Sequence, residues 1–192
     1  MTIEERRARE RASRRRLITT TARGIAEREG WDAVTTRRLS AEIEYSQPVI
    51  YKHFASLDAI ADAVASDGFA ELADALRQAR SEVEPAAALG AVAHRYAAFA
   101  ADQPAVYDAM FGRPSRLHFG PGSSPAPSSA FAELRSAVEP RAGDADVELL
   151  TETVWAGLHG LVALQRGSRL RPDHQEARID LFVDRISQAG PS

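Results

Sequence analysis

The stretch Thr35–Phe54, TTRRLSAEIEYSQPVIYKHF, constrains the fold more than any other part of the chain. Thr35 can cap a short helix, because its hydroxyl can accept a bond from a free first-turn amide. Leu39 and Ile43 follow at i, i+4, the spacing of one buried face. The pattern breaks at Glu44-Tyr45, and Ser46 offers a second cap. Gln47-Pro48 then stands in a first turn, where proline removes no intrahelical bond. Ile50 and Phe54 are the next i, i+4 apolar pair. Two helices this short cannot bury a core alone, so a third must pack across them. Leu17, Ile18, Ala22, Ile25 and Ala26 supply its stripe on a helix starting at Ser13, which Gly30 stops and Trp31 and Val34 connect to the next.

The second short helix is not composed like a core helix. Apart from Ile50 and Phe54 it offers Gln47, Pro48, Val49, Tyr51, Lys52 and His53, a polar, aromatic and basic surface. Such a helix can lie in the major groove of DNA. Charge points the same way: residues 1–53 hold 12 basic and 8 acidic side chains in a chain of net charge −3, so the remainder is acidic. A basic piece on an acidic body suits an oriented DNA binder, since phosphate contacts supply most sequence-independent affinity. A solvated basic tail would give the same count. Residues 1–12, MTIEERRARERA, lack an apolar face and read as a flexible basic arm or a loose helical extension. Arg6, Arg7, Arg9 and Arg11 could reach phosphates or a neighbouring minor groove from there.

The segment from about Ser13 to Leu57 resembles the DNA-binding domain of TetR-family transcriptional regulators. The specific part is Ile50-Tyr51-Lys52-His53-Phe54 preceded by Ser46-Gln47-Pro48-Val49. Two positions depart from the family's habit. Glu44 stands where a glycine is usual, which suggests a strained or altered turn, and Arg38 stands where an acidic residue is frequent. The second change removes a capping box and adds a positive charge near the DNA. The resemblance implies a helix-turn-helix domain over residues 13–55, with Thr35, Thr36, Arg37 and Ser46 among its DNA-facing residues. It assigns base reading to Gln47, Pro48 and Val49 and phosphate contacts to Tyr51, Lys52 and His53. Glutamine can pair with adenine, and proline or valine can touch a thymine methyl. It further implies a homodimer on a pseudo-palindromic operator, with recognition helices roughly 34–36 Å apart. Repression relieved by a small hydrophobic or aromatic effector fits the family, with activation left open.

The remainder, residues 56–192, reads as a roughly six-helix ligand-binding and dimerisation body, making the whole all-α. Ser56 caps a long helix with Leu57, Ile60, Val64, Phe69, Leu72 and Leu76 running to about Ala79. Pro85 and Pro104 open two more. Gly112–Ser129 holds three glycines and four prolines and is expected as a mobile loop that could serve as a lid. Its Gly120-Pro121-Gly122-Ser123 lacks the ending of a phosphate loop. A helix from about Pro127 to Val138 follows. Asp144 or Asp146 then begins a long helix over Val147 to about Arg166, with Leu150, Val154, Leu158, Leu161 and Val162 on one face. Gly157, Gly160, Ala163 and Gly167 leave room for another helix to approach. Pro172-Asp173 is expected to start the last helix, marked by Ile179, Phe182, Val183 and Ile186. In TetR-like proteins the last two long helices pair with their symmetry mates. Trp155…His159-Gly160 also resembles the tryptophan–histidine–glycine C-terminal domain of one branch. Bodies of this family hold small molecules, and the candidate lining residues are Phe69, Tyr96, Phe99, Tyr107, Met110, Phe111, Trp155 and His159. The alternative for each is the body's own core.

Composition narrows the rest. The absence of cysteine excludes disulfides, thiolate zinc sites and cysteine nucleophiles. Arginine supplies 23 of the 24 basic residues, Lys52 being the one lysine, for which coding bias is explanation enough. No uninterrupted apolar run approaches the roughly 18 residues of a membrane span, so a cytoplasmic protein is expected. There is no HExxH or G-x-S-x-G, and His53, His94, His118, His159 and His174 are too scattered for a recognisable catalytic or metal constellation. Neither an enzyme nor a cofactor is therefore expected. A helical protein-interaction module without sequence-specific DNA binding is the competing reading.

Overall fold

The structure, a computed structural model, describes residues 2–113 and 125–188. Among these, all regular structure is helical: α1 (Ile3–Glu29), α2 (Thr36–Ile43), α3 (Gln47–His53), α4 (Leu57–Ser81), α5 (Ala88–Asp102), α6 (Pro104–Tyr107), α7 (Pro125–Val138), α8 (Val147–Arg166) and α9 (Gln175–Gln188). Asp108–Gly112 continues α6 as a π turn. The chain divides into two compact units, one reaching from the N-terminus to Gly68 and joined by the segment that starts at Gln103, the other holding Phe69–Asp102 and the C-terminal part.

In the first unit the core is Ile18, Ala22, Ile25 and Ala26 of α1, Val34, Leu39, Ile43, Ile50, Phe54 and Ile60, completed by Ala105. Leu17 does not join it, being 41% exposed, because it sits about a third of a turn from the stripe that begins at Ile18. Residues 3–12, expected as an arm or loose extension, continue α1 without a break. Thr2 and Glu5 close its start as a capping box. The return segment is fastened to α1 by polar bonds. The Glu27 carboxylate accepts from the backbone amides of Ala105 and Val106 at 3.1 and 3.3 Å, the free donors of α6. Trp31 Nε1 donates to the Ala105 carbonyl at 2.8 Å, and Arg23 donates to Gln103 Oε1 at 2.7 Å. Gly68 lets α4 come close, since a Cβ there would stand 2.4 Å from Val106 Cγ1.

The second unit buries Phe69, Leu72 and Leu76 of α4 with Leu89, Val92, Tyr96 and Phe99 of α5, Leu134 and Val138 of α7, Val154, Leu158 and Val162 of α8 and Ile179 of α9. Asp146 caps α8, accepting from the amides of Glu148 and Leu149. Gly157 lets α9 come close, because a Cβ there would be 2.5 Å from the Phe182 ring. Gly160 faces open space. Three expectations need correction. α7 starts at Pro125, so the last five residues assigned to the 112–129 loop are helical, while 114–124, with His118 and Gly120–Ser123, lie outside the described residues. The last helix starts at Gln175 and not at Pro172-Asp173, since Asp173 has φ +62°, a left-handed conformation no helix contains. Finally, α8 is by length and composition long and apolar enough to cross a membrane. An apolar run does not register this, because Glu148, Thr151, Glu152, Thr153, His159 and the glycines interrupt α8. Only 22% of its most apolar stretch is buried.

Candidate nucleic-acid interface

Leu39 and Ile43 fix the inner face of α2, and Ile50 fixes that of α3, 1% exposed. The link between them depends on one backbone conformation. Glu44 closes α2 at φ 56°, ψ 32°, and its N–H and that of Tyr45 both turn back to the Ser40 carbonyl. This is the position where glycine was the family expectation, and the side chain is carried in the left-handed region instead. Thr35 caps α2, its hydroxyl accepting from the Arg38 amide at 3.1 Å. Ser46 occupies the cap position of α3, yet its side chain accepts no cap bond. The reason is local: Pro48 has no N–H, and the Val49 amide bonds the Ser46 carbonyl at 2.9 Å.

With α3 seated on Ile50 and Phe54, its outward surface is defined. Gln47, Pro48, Tyr51 and Lys52 are exposed, and Val49 and His53 are half-buried. The Tyr51 and Thr36 hydroxyls lie 3.3 Å apart, joining the exposed edge of α3 to the start of α2, where Thr35 and Arg37 are exposed. Gln47, Lys52 and Arg37 make no hydrogen bond or ion pair within the described residues. Arg38 behaves otherwise. Its guanidinium bonds Glu29 at 3.0 Å and Glu42 at 3.1 Å, so the positive charge expected near DNA is neutralised inside the head.

Sequence reasoning named Arg11 but missed Arg14 and Arg15, which stand beside this surface on α1. The Arg15 guanidinium lies 4.1 Å over the Phe54 ring and donates to the His53 carbonyl. His53 sits under burial and among the charges of Arg14, Arg15, Arg11 and Lys52, which together hold its pKa below 6.5. The imidazole is therefore kept neutral in a cationic setting. The spacing of Arg11, Arg14 and Arg15 with Ile18 at i, i+3, i+4, i+7 was the signal that could have revealed it.

The residues expected to line a ligand pocket divide between the units. In the second, Tyr96 and His159 meet, with the hydroxyl 3.3 Å from Nδ1, and Trp155 meets the Phe131 ring edge-on at 6.4 Å. Trp155 and His159 are half-buried, and burial holds the His159 pKa below 6.5. Phe69 and Phe99 are core, at 2% and 1% exposed. In the first unit the Tyr107 and Phe111 rings meet at 4.8 Å, tilted by 53°, and the Met110 side chain lies over Gly68.

Comparison with known proteins bears on both parts. Residues 18–64 match the family described as "Bacterial regulatory proteins, tetR family". Residues 89–187, which contain Trp155, His159 and Gly160, match "Tetracyclin repressor-like, C-terminal domain". A curated relative, the HTH-type transcriptional regulator YobS of Bacillus subtilis (strain 168), is itself uncharacterised and 31% identical over 94 residues, 49% of each chain. The chain thus spans about half the length of the curated relative it matches. Among solved structures, a protein of unknown function from Rhodococcus sp. RHA1 is similar over 93% of this chain and 95% of its own, at 24% identity and a TM-score of 0.77. The TetR-family regulator PfmR of Thermus thermophilus is similar over 89% and 97%, at 19% identity and 0.57. RolR, solved in complex with resorcinol, is similar over 95% and 90%, at 18% identity and 0.66. At these identities the structures speak for the fold.

Proposed function

Because the chain belongs to the TetR family of bacterial regulatory proteins, whose members are regulators and not enzymes, we propose that it is a DNA-binding transcriptional repressor. One observation carries this reading. Gln47, Lys52 and Arg37 are polar side chains held outward on ordered helices with no partner of their own, while Arg15 and Arg38 beside them are consumed internally. A surface whose donors remain unused is matched by phosphates and base edges. Gln47, Pro48 and Val49 would read bases, and Thr35, Thr36, Arg37, Ser46, Tyr51, Lys52 and His53 would hold the backbone.

The protein would work in the cytoplasm as a homodimer paired through α8 and α9, whose apolar surface the single chain leaves largely open. Two recognition helices would then meet a pseudo-palindromic operator. A small hydrophobic or aromatic effector would bind in the body and favour a conformation with lower affinity for DNA. Tyr96, Trp155 and His159 are the residues we assign to it, because they combine aromatic surface with polar tips and are not all sealed in core. Resorcinol, the ligand in the RolR structure, is a small aromatic molecule with polar groups of that kind. We also assign the C-terminal domain to the branch marked by Trp155…His159-Gly160.

Selection of bound duplexes from a random pool tests the reading directly. A palindromic consensus should emerge. Lys52→Ala should weaken consensus and random DNA alike and flatten the salt slope by about one unit per half-site. Gln47→Ala should relax preference at one position of each half-site, costing about 1–3 kcal/mol there. Absence of any enriched sequence at low salt, or an equal loss on every sequence for Gln47→Ala, would overturn it.

A further inference from the structure

α1 begins well before the core needs it. From Ile3 to Leu17 every residue is exposed, a helical projection of roughly 20 Å at 1.5 Å per residue. Its charges are not evenly spread. Arg7, Arg11, Arg14 and Arg15 recur at i, i+4, i+7 and i+8, and Ile18, Ala22 and Ile25 continue the same stripe as the buried face that packs on α2 and α3. The face that is apolar beneath the helix-turn-helix is therefore arginine beyond it. Arg6 and Glu10 pair with each other on a different side, 3.9 Å apart. Arg7, Arg11 and Arg14 have no hydrogen bond or ion pair among the described residues. The stripe starts at the recognition helix itself, because Arg15 is bonded to the His53 carbonyl and lies over Phe54. The fall in the His53 pKa caused in part by Arg14, Arg15 and Arg11 agrees with that proximity.

From this juxtaposition we propose that the N-terminal half of α1 is a second DNA-binding surface, in which Arg7, Arg11 and Arg14 grip phosphates of duplex flanking the half-site read by α3. The inference rests on the DNA-binding reading of the head and adds to it a footprint longer than the recognised sequence. A row of like charges on one helical face, unpaired and continuous with a DNA-reading surface, suits a polyanion, and base identity would not matter to it. At 3.4 Å per base pair the projection spans about six base pairs.

The test uses the full chain and two duplexes made from the pool-selected site, one trimmed to the consensus and one carrying ten further base pairs of arbitrary sequence on each side. The wild type should bind the extended duplex at least about tenfold more tightly at low salt, with a log–log salt slope steeper by about two to three units per head. Arg7→Gln/Arg11→Gln/Arg14→Gln should bind both duplexes equally, losing the advantage of the flanks. Its helicity should be unchanged, as all three side chains are exposed. Equal wild-type affinity for the two duplexes, or a flank preference that survives the triple substitution, would sink the second surface and leave the head's role standing. Failure of the wild type to bind either duplex would sink both.

Discussion

At the scale of single residues, Glu44 is the position where sequence and geometry are in tension. A left-handed conformation costs an L-residue about 1–2 kcal/mol, and glycine escapes that cost but surrenders roughly 0.5–1 kcal/mol of unfolded-chain freedom. Glu44→Gly should therefore stabilise the protein by about 0.5–1 kcal/mol, and a β-branched Glu44→Val should destabilise it. Urea midpoints decide this, and a lower midpoint for the glycine variant would refute the strain. The departure was visible in the sequence as soon as the turn was located. A strained or altered turn was expected there, but the torsion itself was not legible, because it is set by where α2 and α3 must both pack. His159 belongs to the same scale. Its folded pKa is lowered from 6.5 by burial, so the unfolded chain takes up the proton more readily. Stability is then complete above about pH 6.5 and falls as pH drops through that value toward the folded pKa. His159→Gln should flatten the fall in melting temperature between about pH 7 and pH 5, leaving a residual slope of the same sign from His53. An unchanged slope would show that His159 is not the titrating group.

At the scale of elements, the helices themselves were largely legible, because stripes such as Leu39–Ile43 and Val154–Leu158–Val162 are local patterns. What escaped was partnership across long separations. Nothing in the spacing says that Glu27 will receive the amides of Ala105 and Val106, or that Trp31 will donate to the Ala105 carbonyl. α6, at four residues, is too short to hold itself, and a carboxylate from α1 supplies the acceptor its first turn lacks. Glu27→Ala should leave two part-buried amides unpaired and cost about 2–5 kcal/mol. Hydrogen exchange should locate the damage at Ala105 and Val106. Loss of protection spread evenly over the chain, with no local excess, would argue against the clamp. The candidate interface shows the same division: Gln47, Tyr51 and Lys52 were readable from the motif, while Arg15 and its hold on Phe54 required the folded head.

At the scale of the whole molecule, α8 and α9 leave Leu149, Leu164 and Leu181 between 41% and 63% exposed. Covering the exposed half of such side chains in a dimer is worth about 1 kcal/mol each. Sedimentation of the wild type should give twice the 20.9 kDa chain mass, and Leu164→Glu/Leu181→Glu should give the single-chain value. A wild type that sediments as one chain at micromolar concentration would refute pairing through these helices.

The return of the chain at Gln103 has an evolutionary corollary. Regulators are often pictured as cassettes in which a reader can be grafted onto a new sensor at the junction that follows it. Here a graft cut at Gly68 would part Glu27 and Trp31 from Ala105, so donor and recipient would have to share the 103–112 segment. Recombination between such genes should then preserve that segment with its reader, and two crossovers would be needed where one is usually assumed.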